Sequence, residues 1–171
     1  MDFDLTDIFF ENLTHGILSL EESLTLIKEF LEGDPSAEYS LVIGTDSHEK
    51  NDDKNTKRVN LVTAVLVHRK GFGGKYFWKR NYVLNIHTLR EKIYAETMTS
   101  LNFASVFVPL LKKKLNGQSP KYNLEIHIDV GEHGDSRDTI KEVVGMVTGN
   151  GFVAKTKPEA YGASYVADKH T

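Results

Sequence analysis

At 171 residues, with no cysteine and a net charge of −3, the chain is sized for one domain with its own core. Disulfide frameworks, thiolate metal sites and cysteine nucleophiles are excluded. The charge is unevenly spread: residues 1–53 carry 14 acids against Lys28 and Lys50, net −12, whereas residues 54–90 carry nine bases and no acid over 37 positions. The opening Met1-Asp2-Phe3-Asp4 has no basic region of the signal-peptide kind, and no apolar run approaches the roughly 20 residues of a membrane span. A soluble, cytoplasmic protein is therefore expected.

In chain order, Ser19-Leu20-Glu21-Glu22 has capping-box spacing and opens an amphipathic helix through Leu24, Ile27 and Phe30-Leu31, which stops at Gly33-Asp34-Pro35. Residues 1–36 read as an N-terminal helical segment and residues 37–171 as the main domain. A first strand over about 39–45, a polar turn from Lys50 to Lys57, a second strand (59–69), a glycine turn and a third strand (75–84) imply an antiparallel meander. Thr88 caps a long helix to Leu115, which Pro109 should kink or split. A fourth strand (123–129), a loop, a helix capped by Asp135 or Ser136, a fifth strand (152–157) and a last helix after Pro158 complete the chain. The expected fold is α/β: a mixed five-stranded sheet, antiparallel on one side and parallel on the other, with helices on both faces.

Asp46 ends the run Leu41-Val42-Ile43-Gly44-Thr45, and Asp129 ends Leu124-Glu125-Ile126-His127-Ile128. If strands one and four are adjacent, the two carboxylates meet at the sheet edge where open α/β sheets carry their sites. A carboxylate leaving a buried strand is costly to desolvate unless a positive charge meets it, and a divalent cation meets two at once. Taken singly, each aspartate reads first as a cap or turn residue.

The acid-free tract interleaves bases with Phe72, Tyr76, Phe77, Trp78 and Tyr82, the composition expected of a surface for a polyanion with stackable bases. Lys75, Lys79 and Arg80 are the candidate backbone contacts, although alternation places Lys75 and Lys79 on one face and Arg80 on the other. The bland alternative is a solvated hairpin whose aromatics are core and cross-strand pairs.

The element order, the Thr45-Asp46-Ser47 segment after strand one, a glutamate in the first long helix, Asp129 and an aspartate in the last helix together resemble the ribonuclease H-like fold over residues 39 to 171. More narrowly, Ile43-Gly44-Thr45-Asp46-Ser47, Ile128-Asp129-Val130-Gly131 and Lys157-Pro158-Glu159-Ala160-Tyr161-Gly162-Ala163-Ser164-Tyr165-Val166-Ala167-Asp168 resemble the YkuK family of bacterial ribonuclease H-related proteins. The resemblance implies a metal-dependent nuclease acting on RNA, DNA or a hybrid. Asp46, Asp129 and Asp168, with a helix glutamate, would hold two Mg²⁺ or Mn²⁺ ions, typically about 3.5–4 Å apart, on the scissile phosphate. Glu96 and Glu91 are both candidates for that glutamate; five positions apart, they project about 140° from each other. Glu96 shares the core-facing line of Ser100, Phe103-Ala104 and Phe107-Val108 and ranks first. Glu91 reads as a first-turn acid complementing the helix dipole.

His48 and His133 read first as loop residues, with proton transfer near such a site as the functional alternative, His127 alternates with isoleucines as a core histidine would, and Lys157 and Lys169 are candidate phosphate contacts. A nucleic-acid-binding protein that keeps the fold without cleaving is the alternative. An actin-like or sugar-kinase ATPase needs a duplicated domain and glycine-rich phosphate loops that 171 residues do not supply.

Overall fold

The structure is a computed structural model that describes residues 8–51, 57–117, 120–131, 134, 136–161, 165–166 and 169–170. Among these residues the elements run β1 (Phe9–Asn12), β2 (Gly16–Ser19), α1 (Leu20–Glu32), β3 (Tyr39–Asn51), β4 (Lys57–Arg69), β5 (Gly73–Leu84), α2 (Leu89–Leu115), β6 (Tyr122–His127), α3 (Arg137–Gly149) and β7 (Val153–Lys155). They build one mixed sheet in the order β2-β1-β5-β4-β3-β6-β7. The β3-β4-β5 meander is antiparallel, and β6 and β7 add in parallel beside β3.

The expected mixed α/β sheet is therefore present, with seven strands in place of five. The extra pair is a hairpin ahead of α1. Asn12 makes its turn by accepting bonds at Oδ1 from the Thr14 and His15 amides (2.9 and 3.0 Å) and fastens it to β5 through Nδ2 and the Tyr76 carbonyl. Phe10 is buried against Phe103 and Phe107 of α2, ring centroids 5.8 and 6.4 Å away, so the hairpin shares the main core.

Both expected capping boxes form. Ser19 and Glu22 close one and Thr88 and Glu91 the other, each pair bonding side chain to backbone reciprocally. Pro109 does not divide α2, which runs 27 residues to Asn116 in the left-handed conformation.

Alternation along the strands sorts the sheet into two faces. Leu41, Ile43, Val65, Val67, Phe77 and Ile126 join residues of α1, α2 and α3 in one core, so these three helices share a face. The other face is smaller: Val62, Ala64 and Trp78 are covered by Val166 from the C-terminal segment.

A second difference concerns β3, which continues past Asp46 to Asn51 because β4 pairs with it throughout, Asp46 facing Val62 and Asn51 facing Lys57. Its parallel partner stops earlier, at the Gly44 and His127 pair. Asp46 thus lies inside a strand, at the point where β6 has left the strand's other edge open.

Candidate active site

The parallel register explains why the two aspartates meet. Gly44 and His127 are the last pair of the parallel ladder, so Asp46 and Asp129 each stand two residues beyond it, near enough for the Asp129 charge to act on Asp46. Asp46 is buried at 6% exposure. Burial raises its carboxyl above the ordinary carboxylate range, the Ser47 amide bonded to Oδ1 (2.8 Å) counters this, and the Asp129 charge raises it further. His48 Nε2 lies 3.5 Å from Asp46 Oδ2. Asp129 Oδ1 is buried and meets the Lys157 ammonium at 2.8 Å as its counter-ion.

Glu96 arrives from the opposite face on α2. A ladder of hydroxyls fixes the rotation of that helix: Ser100 Oγ donates to Thr45 Oγ1 (2.8 Å), which lies 2.9 Å from Thr63 Oγ1 on β4. One helical turn before Ser100 and two strand positions after Thr45, the next rung is Ser47 Oγ donating to Glu96 Oε1 at 2.5 Å. Glu96 is 4% exposed. Burial pushes its carboxyl up to about 7, against the Ser47 hydroxyl and the Lys92 ammonium at 3.8 Å, and the charges of Asp46 and Asp129 push the same way as burial.

Glu91 is spent elsewhere. It is exposed, and its Oε2 accepts the His87 and Thr88 amides at 2.7 and 3.3 Å, bonds that hold its carboxyl below the ordinary range. Of the two helix candidates, Glu96 is the one brought to the aspartates.

Asp168 and His133 lie outside the described residues. Among the described residues no three acidic or histidine side chains are arranged to hold a metal ion together. Lys157 on Asp129 and Lys92 on Glu96 supply the positive charge in this arrangement. His127, 2% exposed and 2.9 Å from Glu125 Oε2, fills the core position its alternation suggests.

The three strand bases expected to form one backbone contact are dispersed. Lys75 lies 5.9 Å from the Phe30 ring centroid. Lys79 is half-buried over Phe103, its amine pushed down by burial. Arg80, on the other face, pairs with Glu11 Oε1 (2.5 Å) and donates from Nη2 to the His170 carbonyl (2.7 Å).

Two polar residues of the site have signals in the sequence that are readable in hindsight. Ser47 follows Asp46, so alternation turns it to the α2 face, and Lys92 stands one helical turn before Glu96.

The antiparallel meander with parallel strands added beside β3 is the architecture of a ribonuclease H-like protein. A family model described as "Ribonuclease H-like" matches residues 22–171, and the uncharacterized protein YkuK of Bacillus subtilis (strain 168) is 32% identical over 170 residues, 95% of this chain and 96% of that protein. The chain belongs to the YkuK family of ribonuclease H-like proteins. No solved structure gives a significant match. Among the described residues no helix is long and apolar enough to cross a membrane.

Proposed function

We propose that the protein is a divalent-metal-dependent nuclease that hydrolyses phosphodiester bonds of RNA or DNA. The observation that carries this reading is the burial of Asp46 and Glu96 within electrostatic reach of Asp129, both carboxyls being raised by burial and by the Asp129 charge. Such a group is costly in water-poor surroundings and is relieved by a hard cation with oxygen preference. The donor set fits Mg²⁺ or Mn²⁺: it offers oxygens only, and Asp129 Oδ1 already draws a cation, the Lys157 ammonium at 2.8 Å. Asp46, Glu96 and Asp129, with Asp168 as the fourth carboxylate by position in the family motif, would hold the ions. When bound, a pair of such ions activates water and stabilises the leaving oxygen.

The chain's own groups have definable tasks. Ser47 holds Glu96 in place by its 2.5 Å bond, and the Ser100 and Thr45 hydroxyls hold α2 in register with β3. Lys157 and Lys92 keep the carboxylates partly neutralised and are placed to swing onto substrate phosphate. His48, beside Asp46, is within reach to exchange a proton with the leaving group.

The test is cleavage of end-labelled single-stranded, duplex and hybrid oligonucleotides with Mn²⁺ titrated from zero. Cleavage that needs the ion, stops with EDTA and is lost in Asp46→Asn supports the reading. Binding without cleavage at any Mn²⁺ or Mg²⁺ concentration overturns it in favour of a non-cleaving nucleic-acid-binding protein.

A further inference from the structure

The C-terminal segment has two sides with opposite chemistry. Its inner side is clamped to the sheet: Val166 is buried on Val62, Ala64 and Trp78, the His170 ring stacks on Trp78 at 3.6 Å with planes 7° apart, and Arg80 donates from Nε and Nη2 to the His170 carbonyl at 3.2 and 2.7 Å. Its outer side carries Tyr161 and Tyr165, 58% and 61% exposed. The Tyr165 amide donates to the Tyr161 carbonyl at 3.2 Å, which ties the backbone of the two tyrosines together. Lys169, four residues further on, places its ammonium 4.3 Å from the Tyr165 ring centroid.

This row begins at the carboxylates. The Tyr161 ring meets His127 edge-on at 5.6 Å, and His127, the last residue of β6, lies two residues before Asp129. Lys157, the counter-ion of Asp129, is anchored nearby by its amide to the Val130 carbonyl at 3.0 Å. The row thus combines two large exposed aromatics held on a clamped backbone, cations at both ends, and continuity with the proposed catalytic centre.

We propose that Tyr161, Tyr165 and Lys169 form a stacking platform for single-stranded nucleic acid, making an unpaired strand the substrate class of the carboxylate site. The exposed rings are the argument: a base can lay its face on Tyr161 or Tyr165 only once it has left its neighbours in the strand. In a duplex those base faces are already covered. Stacking on aromatic rings tolerates any sequence, because every base has a π face, and the lysines at the two ends supply phosphate attraction. The clamp on Trp78 keeps the platform preorganised, which lowers the ordering cost of binding.

The inference rests on the nuclease reading for its purpose, since the strand is what the platform delivers to Asp46 and Asp129, but its test does not need cleavage. Fluorescence anisotropy in EDTA would be read with labelled 12-residue oligo(dT), oligo(U) and a duplex of equal length. Single strands should bind at least about tenfold more tightly than the duplex. Tyr161→Ala and Tyr165→Ala should each lose about tenfold in single-strand affinity, with duplex binding unchanged and the Tyr→Phe variants close to the parent. A preference for oligo(U) or for oligo(dT) assigns RNA or DNA within the supported outcome. Duplex bound as tightly as single strand, no single-strand binding, or alanine variants equal to the parent would each overturn the platform. A protein that binds single strands in EDTA yet never cleaves leaves the platform standing and removes only the nuclease reading.

Discussion

Ser47 Oγ and Glu96 Oε1 are 2.5 Å apart, a bond from a central strand to the helix that crosses it. The hydroxyl donates to the charged form of a carboxylate that burial pushes up to about 7, so a glutamate that would otherwise stay protonated at neutral pH is kept titratable there. The group that locates Glu96 also tunes it.

A pH dependence follows. The folded carboxyl titrates near 7 and the unfolded one near its ordinary 4.5, so between these values the native state holds the extra proton. Stability is fully present below about 4.5 and falls as pH rises towards 7, by a total on the order of 3 kcal/mol. Urea denaturation in EDTA across pH 4.5 to 8 should show this decline, and Glu96→Gln should flatten it. Mn²⁺ affinity should run the other way, rising as pH passes through about 7. Ser47→Ala should move that midpoint upward, because the variant loses a donor to the charged form.

Asp46→Asn should abolish Mn²⁺-dependent cleavage and leave the metal-free protein as stable as the parent at pH 8, or more so. The buried carboxylate is destabilised by desolvation and by Asp129, whereas the amide oxygen can still accept the Ser47 amide. A loss of about 2 kcal/mol or more, the scale of a broken structural feature, would instead make Asp46 a structural residue.

Glu96→Gln and Glu91→Gln should separate binding from folding. Calorimetric titration of Mn²⁺ should be weakened about tenfold or more by the first and left unchanged by the second. The second should lower Tm slightly, since Glu91 closes the Thr88 capping box. Equal metal affinities for both variants would remove Glu96 from the proposed ligand set.

Glu96 was legible from the helical line it shares with Ser100 and Phe107, because a 27-residue helix gives periodicity many turns in which to show itself. The pairing of β3 with β6 followed from element order. The hairpin was not legible: β1 and β2 are four residues each, with Phe9 and Ile17 exposed, and their pairing depends on Asn12 reaching Tyr76 some 64 positions away. The far half of β3 was hidden for a related reason. Ser47-His48-Glu49-Lys50 has no strand composition of its own and is extended because Val59 and Leu61 of β4 pair with it. The basic tract shows the limit of charge counting, since a run of bases does not say that Arg80 is already neutralised by Glu11 while Lys157 faces a carboxylate of the site.

That contrast gives the last prediction. If phosphate contacts are made beside the carboxylates, Lys157→Gln should weaken binding of all sequences alike and lower the slope of log affinity against log salt by roughly one contact's worth, about 0.7 for a single strand. Turnover at saturating substrate should change less than KM, because a uniform contact is lost. Arg80→Gln removes the same formal charge from the chain but breaks an ion pair with Glu11 and two bonds to the His170 carbonyl. Its salt slope should equal the parent's, and its Tm should fall by roughly 2–4 °C, the shift of about 1 kcal/mol in a chain of this size. Measured side by side, the two variants decide where the strand's backbone runs. A reduced slope in Arg80→Gln with an unchanged one in Lys157→Gln would return the interface to the β4 and β5 hairpin and move the substrate away from Asp129.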